Sequence, residues 1–293
     1  MLNETRKAYL QMHVSVILWG FTAIIGKLIT LTALPLVWYR MIITALSFLI
    51  LPVFWRHIRK VDRKSFWQIA GIGCLVSLHW VTFYGSVKYA NVSITLSCLA
   101  TASFFTSLIE PMVFRQKIQK LELLLGLMII PGVYMIFRFT DISYAAGIIM
   151  GIISAILAAL FSTLNKKMVA KNDPNSITFI EMGSGWLLLT LLMPFYFSAF
   201  PEAAFFPEVA DWFWLLVLAF VCTTFAYVLS IKALKTLSAF AAGLTVNLEP
   251  IYGILLAFLI FREDKDLNSG FYIGAAIIVT AVFLHPLIKK RMK

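Results

Sequence analysis

The sequence predicts an all-α, polytopic membrane protein with ten transmembrane helices arranged as two inverted five-helix repeats. Three observations carry this prediction: composition, the length of the apolar runs and the distribution of basic residues. The 293 residues are 61% hydrophobic and 13% charged, whereas soluble domains average about 45–50% apolar and about 25% charged residues. The apolar residues gather into ten runs at 9–33, 35–55, 66–87, 93–114, 121–139, 143–165, 176–197, 211–231, 239–261 and 269–287. Each is close to the roughly 20 residues that a helix needs to span the hydrocarbon core. The longest connection, SAFPEAAFFPEVAD at 198–211, leaves no room for a soluble module.

The net charge of +11 invites a nucleic-acid partner, but the placement of the charges argues against one. Lys and Arg cluster at 6–7, 56–64, 115–120, 166–171, 232–235 and 289–293, which fall on one side if the runs alternate. The opposite side holds Lys88, Arg138, Arg262 and Lys265. By the positive-inside rule both termini are expected in the cytoplasm, with the chain crossing the cell (inner) membrane repeatedly. The lipid bilayer is then the solvent, and no nucleic acid is expected. The first run follows Arg6 and Lys7 as a signal peptide would, yet it carries Trp19 and Lys27 and has no small-residue cleavage site, so it reads as a retained helix. Cys74, Cys98 and Cys222 stand singly within apolar runs and read as small hydrophobes, not as a disulfide framework. HExxH, GxSxG, a Walker lysine loop and GxGxxG are all missing, and no His or Cys pair has metal-ligand spacing. The expectation is therefore no enzyme, no metal and no cofactor.

An internal repeat is visible at one offset. Lys88 to Arg115 and Lys235 to Arg262 each enclose one whole apolar run, lie 147 residues apart and end in Phe-Arg. Five helices per half is an odd number, so two homologous halves must insert with opposite orientation. The expected units are 1–141 and 142–293. Inverted repeats are a hallmark of secondary transporters, with the site at the repeat interface near the midplane.

These features, with LWGFTAIIGK at 18–27, WYRMIITAL at 38–46 and NLEPIYGILLAFLIFRED at 247–264, give a chain that resembles the EamA family of the drug/metabolite transporter superfamily. The resemblance covers nearly the whole chain. It implies a basket of helices around a central cavity, lined or supported by the first four helices of each half, with the fifth and tenth outside. It also implies movement of small metabolites, amino acids or drugs, commonly outward. Where the second half has Glu249-Pro250, the first has Ala102-Ser103 in the stretch ATAS.

Ionisable residues inside the runs are the main site candidates, since each costs about 2.5–3.5 kcal/mol or more at a helix centre. Glu249 lies ten residues into the ninth run, about 15 Å deep at about 1.5 Å per residue. Pro250 removes the N–H that would bond the Val246 carbonyl. Thr245, Glu249, Tyr252 and Gly253 share a helical face, and Asn247 joins them where Pro250 distorts the turn. This group could bind an ammonium or a proton, or Glu249 could be structural and hold a kink. Arg40, with Thr44 and Ser47 on its face, suits a substrate carboxylate or phosphate, or snorkels or pairs with an acid. Lys27 reads chiefly as snorkelling. His79, Trp80 and Tyr84 form an aromatic, titratable face that suits an amino or heterocyclic substrate, or a buried, hydrogen-bonded histidine. Trp19 is the cavity candidate of the first run. Glu181 in the seventh run joins Glu249 and Pro250 as a coupling or gating candidate, whereas Glu110, near a helix end, reads as solvated. The fourth run carries small hydroxyls all round, which places it at the centre of the bundle.

The function these residues predict is secondary transport of a small molecule by alternating access, compatible with proton coupling. A carrier of phosphorylated or nucleotide sugars would use Lys27 and Arg40 as phosphate clamps. A lipid-modifying enzyme would need a reactive cluster at one face, and a channel would need rings of polar groups.

Overall fold

The computed structural model describes residues 4–50, 55, 58–128, 130–132, 134–135, 142–246, 248–263, 269–274, 276–277, 280 and 284. Among these, every regular element is helical. The helices are α1 (Glu4–Leu28), α2 (Ala33–Leu49), α3 (Arg63–Tyr89), α4 (Val92–Leu99), α5 (Ala102–Phe114), α6 (Lys120–Leu127), α7 (Ala145–Met168) and α8 (Pro174–Ala199). They continue with α9 (Val209–Ala219), a π-helical turn (Phe220–Phe225), α10 (Ala226–Ala233), α11 (Ala239–Val246) and α12 (Glu249–Phe261). Six described spans are long and apolar enough to cross a membrane: α1, α3, α4 with α5, α7 with its leading turn, α8, and α9 through α10. The helix α2 and the helix α12 are apolar but shorter. Parts of the fifth and tenth runs lie outside the described residues. Against the ten helices expected, the described residues form a multi-pass helical bundle in which six spans are clear.

Helix starts follow local chemistry. Asp62 accepts from the Ser65 N–H at 2.9 Å and the Ser65 hydroxyl at 2.6 Å, Asn91 accepts from the Ile94 N–H at 2.8 Å, and Asp173 caps α8 ahead of Pro174. Each satisfies amides that the first turn leaves without partners, worth about 1 kcal/mol per cap.

Side-chain registers give the helix directions. The helix α7 runs antiparallel to α3, since a side chain at Gly85 would meet Met150, His79 bonds Ser154, and Gly147 abuts Ala90. The helix α1 runs antiparallel to the α9–α10 span, through Ser15 to the Ala226 carbonyl at 2.7 Å and Trp19 to the Cys222 carbonyl at 3.0 Å. The helix α8 is antiparallel to α2, with Trp38 bonded to Thr190 at 2.8 Å and Met41 against Gly185. We call the end of the bundle where α1 begins the base, and the other end the crown.

The 147-residue offset reappears in the backbone. Adding it to α4 (Val92–Leu99) gives Ala239–Val246, the bounds of α11; adding it to α5 (Ala102–Phe114) gives Glu249–Phe261, the bounds of α12. The residue before the second segment is Thr101 (φ −67°, ψ −12°) in one half and Leu248 (φ −77°, ψ −18°) in the other. Both second segments end on a left-handed arginine, Arg115 at φ 53° and Arg262 at φ 57°, the two positive-φ non-glycine residues among those described. A non-glycine residue there is uncommon, and two at the same repeat position are a structural signature of the duplication.

The two broken helices pack antiparallel, with Ser93 against Glu263, Leu96 against Gly253 and Glu110 against Ala239. The kink expected around Pro250 has a counterpart in the first half, where no proline stands at the break, so a break at this position does not require one. Pro250 occupies the first turn of α12, where a missing N–H has no helical partner to lose. All eight residues of α4 are buried, which places the hydroxyl-rich fourth run at the centre of the bundle, as its composition indicates.

Candidate functional site

A cavity of about 120 Å³ opens at the centre of the bundle, about ten times the roughly 10–15 Å³ that one water requires. Its walls come from both halves: Trp19 and Thr22 of α1, Arg40 of α2, His79, Trp80 and Phe83 of α3, Phe161 and Asn165 of α7, Tyr227 of α10 and Glu249 of α12. Lining residues extend toward the base, through Met12, Thr106, Leu234 and Ala242. At the crown the bundle is tied shut. Glu263, 2% exposed, takes the Lys27 ammonium at 2.8 Å, the Val92 and Ser93 amides at 3.2 and 3.0 Å, and the Ser93 hydroxyl at 2.6 Å. Beside it Asp211 accepts from the Thr30 amide at 2.9 Å and the Thr30 hydroxyl at 2.6 Å, and Lys88 donates to the Ile29 carbonyl. Lys27 is therefore paired with an acid and held 4.4 Å from the centroid of Phe261, where the sequence reading has it snorkelling.

The base has the reciprocal arrangement. Glu110 accepts from the amides of Ala239 and Phe240 at 3.0 and 2.7 Å, where the sequence reading expects it to be solvated. Thus the start of each half's broken helix is capped by a carboxylate from the end of the other half's. At the same end Lys166 donates to the Leu234 and Leu237 carbonyls, each at 2.6 Å.

Arg40 is 3% exposed, so it does not snorkel. Nε donates to the Thr223 hydroxyl at 2.8 Å, Nη1 donates to the Tyr84 phenol at 2.7 Å, and the guanidinium lies 3.8 Å from the centroid of Trp80. Charge-assisted hydrogen bonds are each worth about 1.5–3 kcal/mol, and a desolvated cation–π contact about 2 kcal/mol. Together they offset much of the cost of burying the cation. Thr223 is available because the π-helical turn lets its own hydroxyl donate five residues back, to Leu218 at 2.7 Å. Such turns gather at functional sites. Among the described residues every hydrogen-bond partner of Arg40 is neutral.

Glu249, 4% exposed, contrasts with it. Among the described residues no donor bonds its carboxylate and no cation lies within ion-pairing distance. Its charged neighbour is Arg40, which acts on it electrostatically from across the same cavity. The cavity therefore presents one cation and one carboxyl group, neither of them ion-paired among the described residues, between aromatic walls.

The other predicted residues divide. Trp19 and Trp80 line the cavity. So does His79, whose Nδ1 meets the carbonyl and hydroxyl oxygens of Ser154 at 2.9 Å each. Tyr84 does not reach the cavity; it lies behind Arg40, over Gly26 of α1, where an added Cβ would come within 2.2 Å of the ring. Tyr252 is 36% exposed and also lies outside the lining, since its helix presents Glu249 inward and Tyr252 beside Gly20. Glu181 is wholly buried outside the lining, and its Oε2 accepts from the Tyr227 phenol at 2.9 Å. Asn247 lies outside the described residues. Pro250 is buried at the head of α12. Sequence reasoning missed Phe161, Asn165 and Tyr227; the polar atoms of the last two, within apolar runs, were the available signal.

The comparisons agree with this architecture. The model of the EamA-like transporter family matches residues 6–138 and again 145–285. The transporter YxxF of Bacillus subtilis (strain 168), described as uncharacterized, is 25% identical over 282 residues, covering 92% of this chain and 87% of its own. An uncharacterized transporter of Haemophilus influenzae is 25% identical over 91% of this chain and 90% of its own, and one of Archaeoglobus fulgidus is 24% identical over 80% of each. A solved crystal structure covering 98% of both chains superposes with a TM-score of 0.68 at 14% identity, which shows the fold alone. Two tandem matches spanning nearly all the residues, and relatives named as transporters, place this multi-pass membrane protein in the EamA-like transporter family.

Proposed function

We propose that the chain is a secondary transporter of the cell membrane that moves a small amino compound, metabolite or drug-like molecule, outward, by alternating access. In this reading two inverted five-helix repeats, 1–141 and 142–293, rock about the central cavity. Both termini lie in the cytoplasm, so the base faces inward and the cavity reaches toward the cytoplasmic side. The observation that carries the reading is the Glu249 carboxyl group, buried in the cavity wall without a hydrogen-bond donor among the described residues. A membrane-embedded acid left in that state is costly, and an ammonium group in the cavity relieves the cost. Arg40 has further N–H donors for a carboxylate, and Trp19, Trp80, Phe161 and Tyr227 suit an apolar or aromatic body.

The phosphorylated-sugar reading needs Lys27 beside Arg40. Lys27 is instead bound to Glu263 at the crown and does not line the cavity, which favours the amino compound. A lipid-modifying activity would need a reactive cluster at one face, whereas the charged cavity groups Arg40 and Glu249 lie in the interior.

The test is reconstitution into liposomes with a panel of labelled amino acids and metabolites, with and without a proton gradient. Saturable exchange of a zwitterionic or cationic member supports the reading. Chemical alteration of lipid without solute movement contradicts it.

A further inference from the structure

Behind the cavity wall lies a second acid that the substrate site does not use. Glu181 of α8 is 0% exposed. Its Oε2 receives the Tyr227 hydroxyl at 2.9 Å, and Tyr227 receives the Asn165 amide at 3.3 Å. Among the described residues the remaining oxygen, Glu181 Oε1, has no hydrogen-bond partner, and neither does the Asn165 oxygen Oδ1. The Asn165 side chain also approaches the Glu181 carboxyl group itself. Two buried acceptors without donors in one small cluster are expensive, at about 1–3 kcal/mol each and more if one is charged. Among the described residues no Lys or Arg nitrogen lies within 4 Å of Glu181 to supply a charge.

Both unpartnered atoms are acceptors, so what the cluster lacks is a donor, and a proton on the Glu181 carboxyl group would supply one. We propose that Glu181 is a proton-binding site, distinct from the substrate carboxyl of Glu249, that communicates with the cavity through Tyr227. The coupling part of this inference rests on the transporter reading; the proton site does not. The ring of Tyr227 stands 6.5 Å from Trp19, 6.2 Å from Trp80 and 6.5 Å from Phe161, so one phenol belongs to the aromatic wall and bonds the hidden acid. A solute seated against that wall bears on the hydrogen bond that Tyr227 donates to the Glu181 carboxyl group. On release, the carboxyl O–H bond breaks, its electron pair stays on the carboxylate, and the proton leaves to water in the cavity. Tyr227 still donates to the anion.

The groups packed against Glu181 are few. Tyr227 is the titratable one from α10; α7 brings Asn165, and α3 brings Gly73, whose added Cβ would lie 2.6 Å from the Glu181 Cα. The helix α2 meets the next turn of α8 with Met41 against Gly185, and its Arg40 acts electrostatically on Tyr227.

Infrared difference spectra of the purified full-length protein, taken across a pH step, test the site without a ligand. The carbonyl-stretch band of a protonated carboxylic acid is expected in the wild type, lost in Glu181→Gln, kept in Glu249→Gln and shifted in Tyr227→Phe, which deletes one hydrogen bond. In liposomes with the labelled panel, Glu181→Gln, a neutral mimic of the protonated acid, should keep solute exchange at equal pH within about twofold. It should lose uptake driven by a pH gradient at least tenfold. An unchanged band in Glu181→Gln, wild-type pH-driven uptake in that variant, or wild-type uptake driven by sodium and not by protons overturns the proposal. If the wild type exchanges no member of the panel, the transporter reading fails and the band alone decides the proton site.

Discussion

The two broken helices, α4–α5 and α11–α12, have the same segment lengths, the same break and the same left-handed arginine at the end. They differ in what stands just after the break: Ala102-Ser103 in the first half and Glu249-Pro250 in the second. Both first residues line the cavity, one as a methyl group and one as a carboxyl. Backbone shape is thus duplicated while charge is not. The break places a side chain at the cavity wall in each half, and only the second half's is ionisable. The cavity's cation, Arg40, comes from the first half, so both halves contribute a charged group to the lining.

Four substitutions probe this division. The largest effect is expected for Arg40→Met, which removes the cavity's cation together with two charge-assisted hydrogen bonds and the Trp80 contact. Solute exchange should fall more than tenfold, and thermal unfolding should report a loss of about 2–3 kcal/mol. Next come the reciprocal caps. Glu263 holds four donors and Glu110 two, so Glu263→Gln should destabilise by about 1–3 kcal/mol and Glu110→Gln by less. Equal thermal shifts would show that the two ends of the bundle are not tied to different degrees. The smallest effect is expected for Pro250→Ala, under about 1 kcal/mol by the same assay, because the first half breaks without a proline. A larger loss would return the break in the second half to Pro250.

What the sequence displays is what depends on neighbours along the chain. Apolar run length, the alternation of basic loops and the offset between Phe114-Arg115 and Phe261-Arg262 are local patterns, and the structure repeats that offset residue for residue at the ends of four helices. Glu249 and Arg40 were legible because a charge in an oily run has few explanations. The caps were not, since Glu110 and Glu263 bond amides 129 to 171 positions away, and no local pattern records such pairs. Tyr84 and Tyr252 show the limit of a helical face. A stripe three or four residues apart turns toward one neighbour, but the sequence does not say whether that neighbour is a cavity, another helix or lipid. Tyr227 and Asn165 were hidden for the converse reason: single polar atoms in apolar runs read as packing until Glu181 is found bonded to one of them.

The central claim is that the Glu249 carboxyl group is the substrate-facing acid of an asymmetric site. It is tested most directly by Glu249→Gln in liposomes, with exchange of labelled solute followed across a range of pH and folding checked by thermal unfolding. Glutamine keeps the shape and removes the charge. The account predicts a folded, inserted protein whose exchange falls at least tenfold at every pH at which the wild type is active. Wild-type exchange by that variant at every pH would contradict it.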